Sequence, residues 1–426
     1  MMKEKYSLKD FRAINGMNFI ERAKHFQLYI DQLDKNYHQP YYTQSINGIN
    51  SKMVAIDNYT QEKQEVIAFV SNDYLGMSKN PETISAGIEA IKKYGTGACA
   101  APIIGGYLDI HKQLEIKLAN FLCYEDAYIF SSGFGTNAGV LGALMGKNDI
   151  ALTDSFIHAS VYDGLHETNI KSIGHNDLKY LEMTLKTVKD KYDTKLVIID
   201  GVYSQNGDLG LLPEYLEICH KYGAQLMVDD AHGIGVFGEN GRGTTEYYNI
   251  LGQVDILTGT LSKSFGCVGG FVAASKEVIQ YLKYYSRTST FSAAPTPQVT
   301  ASVIKAIDII MEKPEIRQKL WHNTNYMKRR LLENGYDIKD TVSPIFPIMV
   351  RDNYLVKELA LMLMQRGYYA VGICYPAVSN NEARIRASVL ATHSENDIDG
   401  FVNAMNEINE KLHFKEFSSR KNKLKS

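Results

Sequence analysis

Between about residue 50 and residue 290 the chain alternates short, β-rich apolar runs with helical segments, and this alternation narrows the possible folds more than any other feature. A strand inside a sheet that carries helices on both faces is apolar throughout, so it reads as a run rather than as an in–out pattern. The clearest runs cover residues 127–130, 150–154, 195–203, 225–230, 256–261 and 270–274. Between them lie amphipathic segments; in Asp109–Leu122, residues Ile110, Leu114, Leu118 and Phe121 fall on one stripe. The expected fold class is α/β, a mostly parallel central sheet sandwiched by helices.

Outside that interval the pattern changes. Residues 1 to about 50 suggest a helical arm, with Phe19, Ala23 and Phe26 at helical spacing. After Pro295 and Pro297 a long helical stretch, 298–334, leads into a smaller C-terminal α+β domain. That domain has strands near 346–350 and 383–388 and helices at 355–366 and 395–411. The expected organisation is an N-terminal arm (1–55), a large α/β domain (56–295), the α+β domain (296–412) and a basic tail (413–426).

Several function classes are disfavoured. A net charge of −2 gives no electrostatic case for nucleic acid. Residues 1–10 are polar, unlike a secretory signal, and no apolar run reaches the ~20 residues of a membrane-spanning helix. Five scattered cysteines without a CxxC pair suit a reducing cytoplasm better than a disulfide framework or a metal site. The tail carries Lys415, Arg420, Lys421, Lys423 and Lys425. It reads as a solvated, frayed end, and at most as a peripheral contact with an anionic membrane surface.

Five segments carry candidate chemistry. Leu226-Met227-Val228-Asp229-Asp230-Ala231-His232-Gly233 ends an apolar strand in two carboxylates and a histidine, at the strand end where open α/β sheets bind ligands. Alone, it also reads as a turn capped by aspartates. One strand–helix–strand unit later, Thr258-Gly259-Thr260-Leu261-Ser262-Lys263-Ser264 sets a lysine among small hydroxyl residues. Pyridoxal phosphate (PLP) needs an amine for its aldehyde and a carboxylate for its pyridine nitrogen, and Asp229 with Lys263 offers both. Ser131-Ser132-Gly133-Phe134-Gly135-Thr136-Asn137 stands at a strand–helix junction, where free N–H groups attract phosphate or a plain helix cap suffices. His158, in Asp154-Ser155-Phe156-Ile157-His158-Ala159-Ser160, is either a loop residue or a flat ring stacked on the cofactor. In Ala383-Arg384-Ile385-Arg386-Ala387-Ser388, alternation sends both arginines to one side, as a charged face or as a clamp for a substrate carboxylate.

Together these segments resemble the α-oxoamine synthases, fold-type I PLP-dependent transferases that include serine palmitoyltransferase, amino-oxononanoate synthase, aminoketobutyrate ligase and aminolevulinate synthase. The resemblance runs from about Phe69 to Leu412 and includes Ser71-Asn72-Asp73-Tyr74-Leu75-Gly76, the glycine loop from Gly95, Asp109-Ile110-His111 and Asp200-Gly201-Val202-Tyr203-Ser204. It implies that Lys263 holds PLP as a Schiff base and moves protons at Cα, and that Asp229 pairs with the pyridinium nitrogen. It places His158 on the ring, His232 and Ser204 at the ring hydroxyl, and Ser132, Gly133, Phe134 and Thr260 at the phosphate. Ser292 would reach the phosphate from the partner subunit of a homodimer, Arg386 would bind the substrate carboxylate, and Asn72 would line the substrate site.

The implied reaction is a decarboxylative Claisen condensation of an amino acid with an acyl-CoA, giving an α-amino ketone, CoA and CO2. The lysine segment, His158-Ala159-Ser160-Val161-Tyr162-Asp163-Gly164 and Leu108-Asp109-Ile110-His111 look most like bacterial serine palmitoyltransferases. The glycine loop departs from that pattern: Ala100-Ala101-Pro102 and Gly105-Gly106-Tyr107 stand where that type has Gly-Ser-Arg and Asn-Gly-Thr. Gln205-Asn206 also replace the residues common after Ser204. An amino-oxononanoate synthase or aminoketobutyrate CoA ligase is the alternative; an aminotransferase shares the lysine and aspartate but is disfavoured by the His158-Ala159-Ser160 triplet, and a non-catalytic subunit by the retained Lys263, Asp229, His158 and Arg386.

Overall fold

The structure is a computed structural model that describes residues 6–38 and 41–423. The chain divides into two compact units, one made of Asn72–Ser204 and Asp208–Leu320, the other of Met1–Ser71, Gln205–Gly207 and Trp321–Ser426.

The first unit is built on a seven-stranded sheet. Its strands, in chain order, are β1 (Asp126–Phe130), β2 (Ile150–Asp154), β3 (Asn169–Ile173), β4 (Lys195–Asp200), β5 (Gln225–Asp229), β6 (Ile256–Thr260) and β7 (Gly270–Ala274). They lie in the order β1-β7-β6-β5-β4-β2-β3. β7 alone runs against the others, pairing antiparallel with both β1 and β6, and every remaining pair is parallel. Every residue of β2, β6 and β7 is buried, because the sheet is covered on both faces. β3 at the edge is exposed along four of its five residues, so it lacks the apolar run that marks the others. Since β7 is reversed, its start and the carboxyl ends of the other strands open on the same sheet edge, where ligands bind in this class of fold.

The second unit holds two small sheets. Gln44–Ser45, Lys52–Ile56 and Lys63–Ala68 pair antiparallel in sequence, and Tyr368–Tyr369 adds parallel to Lys63–Ala68. Arg384–Ser388 lies between Ile345–Met349 and Val371–Ile373, antiparallel to each. Phe69, Phe346, Phe401 and Phe414 are fully buried in its core, and His393 stacks on Phe69 at 4.5 Å.

Several expectations need correction here. The boundary falls between Leu320 and Trp321, not at 295/296, and the residues before Asn72 belong with the C-terminal part. The long helix expected at 298–334 is two helices, Pro297–Glu312 and Pro314–Glu333, because Pro314 lacks the N–H that would continue the first one. The arm expected at 1–55 contains the helix Phe19–Lys35 but also the strands from Gln44 onward. Its buried face is Tyr29 and Leu33 packed with Phe11, whereas Phe19 is 73% exposed. The tail is not frayed throughout: Phe414–Lys423 is helical, and Phe414 stacks against Tyr336 at 6.0 Å; Lys425 lies outside the described residues. Among the described residues no helix is long and apolar enough to cross a membrane.

Candidate active site

At the shared sheet edge of the first unit lies a cavity of about 270 Å³. Ser132, Gly133, Phe134, His158, Ser204, Asp229, His232, Thr260 and Lys263 all line it. Each sits where a strand stops: β1 feeds the serine–glycine turn, β2 the loop to His158, β4 the loop to Ser204, β5 ends in Asp229, and β6 ends in Thr260 just before the lysine.

One end of the cavity is made for an anion. Ser132 caps the helix Gly133–Leu144, its hydroxyl accepting from the Gly135 N–H at 2.9 Å. Of that helix's first N–H groups, those of Gly133 and Phe134 precede any intrahelical acceptor. Thr260 Oγ1 and Ser262 Oγ stand 2.7 Å apart beside it. Glycine is required at 133: a Cβ there would sit 2.8 Å from Thr260 Oγ1 and 2.9 Å from Thr260 Cβ.

The other end is carboxylic. Asp229 Oδ2 accepts from Asn137 Nδ2 at 2.6 Å, and Oδ1 accepts from the Ala231 N–H at 3.1 Å. Asp200, also in the lining, is buried, and its Oδ1 has no hydrogen-bond partner among the described residues. Burial, then the neighbouring Asp229 charge, drives its carboxyl well above the usual carboxylate range, against the pull of Lys263. Asp230, behind Asp229, is raised to about 7, first by burial. Tyr74 OH hydrogen-bonds His232 Nδ1 at 2.7 Å and reaches Asn72 Oδ1 at 3.5 Å.

Two contacts brace this edge. His175 bridges the strand ends, with Nδ1 3.1 Å from Asp154 Oδ1 and Nε2 2.6 Å from Asp208 Oδ2. Burial lowers its pKa, but the two carboxylates outweigh that and hold it at about 9. After Lys263, Gly266 adopts φ +67°, and a Cβ on it would sit 2.2 Å from the Ser78 amide nitrogen, so the lysine loop lies directly on the backbone of the segment that begins at Asn72.

Asn72 and Ser292 stand outside the cavity lining. Ser292 is half-buried between Phe291, 79% exposed, and Ala293, whose carbonyl accepts from Ser131 Oγ at 2.8 Å. The two arginines of Arg384–Ser388, in the second unit, have different surroundings. Arg384 is buried and donates to Asn206 Oδ1 at 2.6 Å, to Gln205 O at 3.1 Å and to Glu382 Oε2 at 2.9 Å. Arg386 is half-buried and donates to Ser388 Oγ at 3.0 Å. Sequence reasoning includes Asn137 and Asp200 in its candidate segments but gives neither a role. The only signal for Asn137 was a polar residue on the buried side of an otherwise apolar helix.

An amine, a carboxylate held for a cation, a flat imidazole and an anion cradle facing one small cavity fit PLP. Fold and site together define a fold-type I PLP enzyme. Residues 64–405 match the family of class I and II aminotransferases. The chain is 40% identical over 387 residues to a serine palmitoyltransferase of Sphingobacterium spiritivorum, covering 90% of this chain and 95% of that one. It is 41% identical over 351 residues to an 8-amino-7-oxononanoate synthase of Thermoanaerobacter pseudethanolicus, covering 82% and 89%. A serine palmitoyltransferase solved with PLP superposes with a TM-score of 0.86 at 28% identity, over 93% of this chain and 100% of that one. The chain belongs to the class I and II aminotransferase family and, within it, to the α-oxoamine synthases, which are PLP-dependent acyltransferases.

Proposed function

We propose that this enzyme condenses an amino acid with an acyl-CoA, releasing CoA and CO2 and leaving an α-amino ketone. The observation that carries the reading is that Lys263, Asp229 and His158 line one cavity. Bound PLP supplies an electron sink for the carbanion at Cα. The side chains do the rest. Asp229 keeps the pyridine nitrogen protonated, and the Lys263 amine holds the cofactor and carries the Cα proton. His158 covers one ring face, His232 and Ser204 hold the ring hydroxyl, and Ser132, Gly133, Phe134 and Thr260 hold the phosphate. Arg386 binds the substrate carboxylate, and Asn72 meets the amino acid. In the balanced reaction, Cα loses a proton and bonds to the acyl carbonyl carbon. The thiolate leaves, the carboxylate departs as CO2, and Cα is reprotonated.

Serine with a long-chain acyl-CoA is the favoured pair. The serine palmitoyltransferase of Sphingobacterium matches over more of the chain, and a solved 8-amino-7-oxononanoate synthase of Francisella tularensis superposes with a TM-score of only 0.69. The enzyme works as a cytoplasmic homodimer in which Ser292 reaches the partner subunit's phosphate. Exposed Phe291 and Ile104, at 79% and 77%, support burial of that face. A substrate matrix tests the reading: serine, glycine, alanine and cysteate against short, long and dicarboxylic acyl-CoAs, followed by thiol release. Serine with long chains is expected to turn over fastest; alanine with a dicarboxylic acyl-CoA as the best pair would select the 8-amino-7-oxononanoate reading. Amino exchange with an oxo acid and no thiol release would overturn the condensation.

A further inference from the structure

Two buried residues given no role above, Asn137 and Ser160, join the side chains that flank the cavity. Asn137 lies on Gly133–Leu144 and is 3% exposed; Ser160 is fully buried. Asn137 Nδ2 donates to Asp229 Oδ2 at 2.6 Å and to Ser160 Oγ at 2.9 Å, while its Oδ1 accepts from the Thr258 hydroxyl at 2.9 Å. The neighbours fix the direction of the amide, because an ionised carboxylate only accepts and must therefore face the NH2 end. Both Nδ2 protons are thereby used. The Ser160 oxygen accepts one of them, which leaves the hydroxyl proton for His158 Nδ1 at 2.7 Å. The Ser160 backbone N–H points at the same nitrogen at 3.3 Å. Facing two donors, Nδ1 accepts, so the ring proton stands on Nε2.

We infer that Asn137 and Ser160 are positioning residues that set the tautomer of His158 and the orientation of Asp229 through one hydrogen-bonded chain. The inference rests on the PLP site proposed above. Asp229 is gripped by Asn137 on one oxygen and by the Ala231 N–H on the other, so it does not rotate away from the cavity. His158 is held at Nδ1, so its ring does not flip. The two groups proposed to govern the ring face and the ring nitrogen are therefore aligned by a single asparagine, as outer partners commonly orient the groups that meet a ligand.

The tautomer is read directly by selective 15N-histidine labelling of the full-length enzyme with and without PLP, with His158 assigned through His158→Gln. An unprotonated Nδ1 and a protonated Nε2 are expected in the wild type; a protonated Nδ1 there overturns the inference, the variant serving only to assign the signal. Ser160→Ala and Asn137→Ala are expected to mix the two tautomers and to move the pH at which the bound cofactor's visible absorbance changes. They are also expected to lower kcat about 10- to 100-fold with KM unchanged, the range that loss of a positioning hydrogen bond costs. Ser160→Thr, which keeps the hydroxyl, restores all three. Wild-type spectra, pH profile and kcat in both alanine variants would sink the proposal. Borohydride trapping of PLP on Lys263 in the same samples separates the two layers: trapping with the wrong tautomer refutes only the chain of hydrogen bonds, whereas no trapping in the wild type refutes the site itself.

Discussion

Each unit gathers a cluster of buried and half-buried ionisable side chains, and the two clusters are built on opposite terms. In the unit with the seven-stranded sheet, Asp200, Asp229 and Lys263 face an open cavity, and one oxygen of Asp200 has no hydrogen-bond partner among the described residues. In the other unit, Arg384 and Lys339 meet Glu382, and Arg351 meets Asp337 at 2.7 Å and Glu382 at 3.5 Å. Burying a polar atom without a partner costs about 1–3 kcal/mol, so such an atom persists where a ligand makes use of it. Mutual pairing instead spends charge on holding chain segments in place. Here Arg384 fixes Gln205 and Asn206, which with the glycine loop depart from the expected serine palmitoyltransferase pattern. Charge facing a cavity should thus report on chemistry, and charge facing charge on stability.

The largest effect tests the first half of that contrast. Lys263→Ala is expected to lower thiol release by at least about 10⁴-fold and to abolish borohydride trapping, while leaving the thermal midpoint nearly unchanged. Retained turnover would break the contrast at its centre. Next comes Arg384→Ala, which removes the hydrogen bonds that the buried guanidinium gives to Asn206, Gln205 and Glu382 and should destabilise the protein by about 1–3 kcal/mol, measured by denaturant titration. The absorbance of bound PLP should survive in the folded fraction; loss of PLP at unchanged stability would move Arg384 into the chemical class.

His175 sharpens the comparison, being a paired charge beside the cavity. Its folded pKa of about 9 lies above the usual 6.5, so its stabilising contribution is complete below pH 6.5 and is lost as pH rises through 9. The thermal midpoint should fall by a few degrees over that window, and His175→Gln should flatten the fall, as scanning calorimetry would show. An unchanged slope in the variant would remove His175 as its cause. The smallest effect belongs to the exposed pair Lys221–Glu182, 2.6 Å apart, where Lys221→Ala should change neither midpoint nor turnover.

The sequence made the first cluster readable and hid much of the second. Strands such as Ile150–Asp154 and Gly270–Ala274 are buried on both faces, so their apolar runs and the polar residues just beyond them stand out one after another. Lys263, Asp229 and His158 were legible for that reason. Asn137 was not, because Ser160, Asp229 and Thr258 reach it from three other places in the chain. β3 escaped because its exposed edge carries no apolar run. Lys52–Ile56 falls at the end of the expected N-terminal arm and Lys63–Ala68 at the start of the expected α/β domain, and neither stands out as a strand in the sequence, since short half-buried strands give a weaker signal than a helix. The division at Leu320 depends on which core each helix joins, and no local pattern encodes that.

Gly266 on the backbone of Met77 and Ser78 leaves no slack between the turn that bears Lys263, proposed to hold the cofactor, and the stretch proposed to greet the incoming amino acid. Evolution therefore cannot retune one without disturbing the other. A lineage drifting toward a new amino donor through changes around Asn72 would inherit, in the same step, an altered seat for its lysine. That offers a physical reason for such shifts to arrive as sets of compensating replacements rather than as single ones.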